Sequence, residues 1–233
     1  MKNFFYLTLS FFLLTLFTSL TFAQGSEQKQ SNEAPAQGEK QEYLLLVENA
    51  KKGDLSIDFG RLRTSYLDWV NNKCNQTEPP NRDEMVKAFE QKDWQKAVQL
   101  GEKVLDYEFV NRGLHLAMAN AYKELKDSEK EQYHKDIAQK LLNALLNSGD
   151  GKTPKTAYKV QSIREEYIVM RELGYQVSRQ ALVSDKDYGM FDVLTGENAE
   201  KKTASFYFNI NSFFGGGNAK PCPEEEKKQE KKH

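Results

Sequence analysis

A chain of 233 residues with 33 Lys and Arg against 34 Asp and Glu carries a formal net charge of −1. No basic excess points to nucleic acid, and no acidic excess points to a cation sponge. Aromatic residues at 12% and charged residues at 29% suit a chain that fills a core and keeps a charged surface.

The N-terminus has one cation, Lys2, before a Phe- and Leu-rich run diluted by Ser and Thr. The run ends at Thr21-Phe22-Ala23, with small residues framing an exit. This is the pattern of a secretory signal peptide over residues 1–23, cut after Ala23, which would deliver the chain to the periplasm or the medium. An uncleaved anchor is the alternative, because Phe4 to Phe22 is long enough to cross a bilayer core. The hydroxyls and the small-residue exit favour cleavage, and no Cys follows to carry a lipid. About 210 residues remain, enough for one large domain or two small ones.

Residues 24–40 are rich in Gln, Glu, Ser, Ala and Gly without apolar periodicity, and read as a flexible spacer. Residues 41–148 read as a helical domain. Tyr43, Leu46, Val47 and Ala50 recur at helical spacing up to Gly53-Asp54. Asp58 opens a second helix with Leu62, Tyr66 and Trp69 on one face. The loop NQTEPPN follows, since adjacent prolines forbid a continuing helix. Beyond it lie four more amphipathic stripes, ending with Tyr133, Ile137, Leu141, Leu142 and Leu145.

Lys92-Asp93 and Lys126-Asp127 stand 34 positions apart, each between two helices. That offset is the tetratricopeptide period. Asp93-Trp94 with Ala97, and His115, Met118, Ala119 and Tyr122, resemble the turn and contact positions of that repeat, while Gly101 and Glu131 depart from it. The expectation is a degenerate repeat pair in a short stack, with a generic helical bundle as the alternative.

Residues 149–156 read as a junction, after which the period falls to two. Residues 157–214 are expected to form a small, mainly antiparallel sheet with one helix, in the order β-α-β-β-β. The strands are Ala157 to Gln161, Tyr175 to Ser184, a segment around Phe191 and Val193, and Ser205 to Ile210. The helix runs from Ser162, with Glu165 completing a capping box, to Gly174, and Ile163, Tyr167 and Met170 share its expected buried face. The fold class is therefore α+β, helices first. Residues 215–233 read as a disordered, mixed-charge tail.

Four pieces carry a resemblance: Gly53 to Tyr66, Asp93 to Val104, Gly149 to Leu173, and Tyr207 to Asn211. On them the chain resembles a family of exported bacterial proteins of unknown function. Its members have a leader, a tetratricopeptide-like segment, a Gly-Asp-Gly-Lys-Ser/Thr-Pro junction and a β-rich end. The resemblance implies export and the two-part architecture, and supplies no catalytic residues.

Chemistry can then be weighed residue by residue. Gly151-Lys152-Thr153 fails as a phosphate loop, because Leu146 stands where the first glycine belongs and the preceding segment is a helix. Asn147 to Gly151 lacks the alternating acids of a calcium loop. His115 and His134 lie on separate helices without a metal-ligand spacing, and read as packing residues. Glu166, beside the capping Glu165, is expected at the solvent or paired near Arg171. No cofactor or metal is expected.

Five aromatics, Tyr158, Tyr188, Tyr207, Phe213 and Phe214, are candidates to line a partner groove between the halves. An oxidising compartment would allow Cys74 and Cys222 to pair, though nothing in the sequence brings their segments together. Two functions follow. One is a non-catalytic protein- or peptide-binding scaffold of the bacterial cell envelope, resting on the concave faces such stacks present. The other is a hydrolase with its site between the halves, favoured if histidines or carboxylates cluster at a pocket.

Overall fold

The computed structural model describes residues 38–71 and 80–214, all within one compact unit. The expected leader, most of the expected spacer, both cysteines and the expected tail lie outside the described residues. Six helices come first: α1 (Gly38–Lys51), α2 (Phe59–Val70), α3 (Asp83–Glu90), α4 (Trp94–Tyr107), α5 (Arg112–Glu124) and α6 (Ser128–Leu146). A 3-10 turn at Pro154–Thr156 leads to β1 (Tyr158–Lys159), α7 (Ile163–Glu172), β2 (Tyr175–Asp185), β3 (Gly189–Asn198) and β4 (Thr203–Asn209). The fold is α+β, with the helices N-terminal to a four-stranded sheet.

The turns after α3 and α5 are the same to the hydrogen bond. Lys92 and Lys126 take φ of 58° and 60°, the left-handed closure usual for a helix C-terminus. The next amide donates five residues back, Asp93 N–H to Ala88 O and Asp127 N–H to Tyr122 O, each at 2.9 Å. Asp93 and Asp127 then cap α4 and α6 by accepting from Lys96 N–H and Lys130 N–H. After α1, Gly53 closes the helix in the same way and Asp54 N–H reaches Asn49 O. There Asp54 turns instead onto Ser56, and Asp58 caps α2. Two helix pairs therefore repeat at the 34-residue offset, and the first pair departs from it.

The α1–α2 pair packs back onto α6. Tyr43, Leu62, Trp69 and Phe109 bury there with Ile137 and Leu141. The Tyr43 hydroxyl accepts from Phe109 N–H at 3.0 Å, and that of Tyr133 donates to Ala50 O at 3.1 Å. Between α4 and α5, Gly101 is seated against Met118, where a Cβ would fall 2.3 Å from its sulfur. Helix α6 runs through two cores, because Leu145 near its end joins Met170, Leu194 and Phe208 under the sheet.

Strand order is β1-β4-β3-β2, with β1 parallel to β4 and the other pairs antiparallel. The sheet is thus mixed. Only Tyr158 and Lys159 of the expected 157–161 strand pair in it, since the preceding Pro154 initiates a 3-10 turn that Thr153 caps.

The junction explains its own sequence. Asp150 and Gly151 N–H both donate to Thr156 O, and Gly151 O accepts from Tyr207 N–H on β4 at 2.7 Å. Gly149 lies so close that a Cβ would come within 2.5 Å of the Thr156 and Ala157 carbonyl oxygens, and Gly151 needs φ of 67°. The Asp150 and Gly151 amides close this clasp and Lys152 N–H donates to Asp150 Oδ1, so these three are already spent.

Helix α7 differs from expectation in its buried face. Ile163 and Tyr167 are exposed, while Glu166, Val169 and Met170 are buried against the sheet. The expected capping box is also rearranged. The Ser162 side chain makes no cap bond, and Glu165 accepts from Gln161 N–H at 2.7 Å. The same carboxylate takes a 2.7 Å bond from Arg63, which is buried on α2 and also donates to Lys159 O at 3.1 Å. The Gln161 amide returns a bond to Arg63 O. These contacts fasten the two halves of the chain together.

Candidate functional site

The strongest cluster of chemistry lies inside the helical half. His115 on α5 and His134 on α6 are both buried, with Nδ1 atoms 2.9 Å apart. Helices α5 and α6 pack against each other across the turn at Lys126-Asp127, and that packing brings the two rings together. His115 Nε2 lies 2.8 Å from Phe109 O. A carbonyl only accepts, so His115 must carry its proton on Nε2, and its Nδ1 must then accept from His134 Nδ1–H. Burial, then the neighbouring His134 charge, push His115 down to about 3, so it stays neutral.

This fixes the tautomer of the second histidine. His134 Nε2 is the remaining ring nitrogen of the pair, and Glu102 Oε1 stands 3.5 Å from it. Burial alone would raise the Glu102 carboxyl. Its contacts with His134 and Tyr122 outweigh burial and hold it below its ordinary value. Tyr122 donates to Glu102 Oε1 at 3.1 Å, stacks on His134 at 5.4 Å and carries Lys130 Nζ over its ring at 5.0 Å from the centroid. Burial, then the Glu102 charge, raise the Tyr122 hydroxyl, which remains a donor.

Glu102 and Tyr122 also form the wall of an open groove of about 400 Å³. Gln95 and Gln99 of α4, Asp127 and Lys130 complete its polar lining, with Val98 and Leu125 as apolar floor. A buried relay, from the Phe109 carbonyl through two imidazoles to Glu102, thus ends at a surface groove.

A second pair of titratable groups lies under α7. Glu166 is fully buried, no N–H or O–H among the described residues donates to its carboxyl oxygens, and once protonated it is placed to donate to Asp192. Burial, then the charge of Asp192 on β3, push it up to about 8. The expectation of a solvent-exposed Glu166 is therefore reversed. Its place in the stripe with Val169 and Met170 was the available signal, obscured by Ile163 and Tyr167.

The five aromatic candidates do not converge on one groove. Tyr158 is buried, stacked on Phe208 at 5.7 Å, and is a core residue. It packs in the cluster that holds Leu145, Met170 and Phe208. Tyr207 pairs in register with Val193 on the opposite face and sets its ring edge-on to Phe191. Phe213 packs partly against the core under the sheet. Tyr188 and Phe214 remain exposed. Cys74 and Cys222 lie outside the described residues. His115 and His134, read as unrelated packing residues, are in direct contact. Their contact depends on how α5 packs on α6, which no local pattern displays.

Among the described residues, no three His, Cys, Asp or Glu side chains group as metal ligands, and no helix is long and apolar enough to cross a membrane. Comparison with curated proteins gives no match, and comparison with solved structures gives none. A family model does match, over residues 40–215, which is most of the chain. The chain belongs to the family described as a domain of unknown function, DUF4919.

Proposed function

We propose that this protein is an exported, non-catalytic component of the bacterial cell envelope that binds a protein or peptide segment in the groove of its tetratricopeptide-like helical stack. The groove itself carries this reading. Gln95 and Gln99, one helical turn apart, offer amides that both donate and accept, as an extended backbone requires. Glu102, Asp127 and Lys130 add charge of both signs, and Tyr122 and Leu125 add apolar surface. Its volume lies within the range of small-ligand and peptide-side-chain pockets, roughly 300–1,000 Å³. The export element rests on the leader-like N-terminus.

A photo-crosslinking amino acid at Gln99, in cells producing the whole chain, tests the reading. The expected result is a discrete adduct that is lost in Tyr122→Glu and absent when the crosslinker sits at Lys201, on the exposed β3–β4 turn. Equal labelling from both positions would overturn the proposal.

One observation favours the hydrolase reading, and it moves the site. The His134–Glu102 contact opens on the helical groove, whereas the junction between the halves is occupied by Arg63, Glu165 and Gln161. Hydrolysis of a chromogenic ester that is lost in His134→Gln would support it. Equal rates in the two proteins would dismiss it.

A further inference from the structure

Strand β2 pairs only with β3 and stands at the sheet edge, with no partner strand on its other side among the described residues. Exposed edges template pairing with other chains, and proteins blunt them with lysine, proline or bulges. Here β2 carries no lysine or proline, and its register shift between Val177 and Arg179 sits near the start of the strand. Arg179 to Asp185 then runs in unbroken register with Thr195 to Gly189. Leu182, in the middle of that run, is 53% exposed.

The run Arg179-Gln180-Ala181-Leu182-Val183-Ser184-Asp185 has a pattern that fits itself. An antiparallel copy related by a two-fold axis at Leu182 sets Leu182 against Leu182, Ala181 against Val183, and Gln180 against Ser184. It also sets Arg179 against Asp185 at both ends, on the same sheet face. Arg179 has no carboxylate partner among the described residues, and Asp185 spends Oδ1 on the Asp187 and Tyr188 amides of the following turn. The edge is also flanked. Tyr167, exposed on α7, places its hydroxyl 3.5 Å from Gln180 Oε1 and so extends the surface beyond the backbone ladder.

We infer that β2 is the docking surface for a second copy of this chain, forming an antiparallel β2–β2 pair about Leu182 that continues the sheet across a two-fold axis. The occupant is a second copy because a copy of the run about this axis sets unlike charges together at both ends.

Light scattering and sedimentation of the whole protein, expressed with its natural N-terminal processing, should report a dimer in the micromolar range. Arg179→Glu places two acids opposite each other at both ends of the run. It should weaken the dimer by roughly tenfold or more, and by more than Arg179→Ala does. Leu182→Cys should give an oxidative crosslink that mass spectrometry maps between the two substituted positions. A monomer at these concentrations overturns the inference. So does a dimer that neither Arg179 variant weakens, or a Leu182→Cys protein with no crosslink at that position. The crosslink keeps the test decisive if Arg179→Glu unfolds.

Discussion

The buried Glu166 makes stability depend on pH in the opposite sense to most carboxylates. In an unfolded chain its carboxyl ionises near the ordinary value of 4.5, while in the fold it holds its proton up to about 8. Below the lower value it is neutral in both states and costs nothing. Above it, unfolding releases a proton, so stability falls by about 1.4 kcal/mol per pH unit until the folded group also ionises. From pH 4.5 to neutrality the loss is about 3 kcal/mol. Glu166→Gln has the same shape and no proton to lose, and its amide can donate to the Asp192 carboxylate. Urea unfolding of both proteins at several values between about pH 5 and 8 reads the difference directly. The variant should gain on the parent steadily as pH rises, reaching an advantage of about 3 kcal/mol at neutrality over its standing at pH 4.5. Parallel curves would refute the picture of a proton held under α7.

Other outcomes follow from the same structure. Gly149→Ala should cost about 1–3 kcal/mol, because its methyl meets backbone carbonyls that cannot turn aside; the denaturant midpoint reads it. Arg63→Met should lower the melting temperature by about 5–10 °C, since it strands the partly buried Glu165 and frees α7 from α2. Nitrogen NMR should find His115 protonated at Nε2 and His134 at Nδ1, and the reverse assignment for His115 would break the relay logic. Intact-mass measurement of the exported protein should place its first residue at Gln24, and a retained leader would remove the support for export.

What the sequence displayed and what it concealed separate by range. Helix starts at Asp58, Asp93 and Asp127 were legible because a cap is made within one turn of chain. The equality of the Lys92 and Lys126 turns was legible because the same residues make the same local bonds. The buried face of α7 was not. Glu166 is a poor core residue by composition, and it is tolerated there as a neutral acid beside Asp192, which arrives from β3. Glu165 looked like half of a capping box, yet it answers to Arg63, about a hundred residues earlier and invisible to any local pattern. The histidines fall between these cases. His115 sat among the contact positions of α5, and only the packing of α5 on α6 showed that His134 meets it.

The clasp between Gly151 and Tyr207 also sets an order of events. The carbonyl that accepts is made early, and the amide that donates belongs to the last strand. At translation speeds of about 5–20 residues per second, β1 waits several seconds for the partner beside which it lies in parallel. The helical pairs, whose contacts are local, need no such delay. Until β4 joins, the local helical pairs can form while the sheet stays unsealed. A chain cut short before Asn209 would keep its groove and leave the end of α6 uncovered.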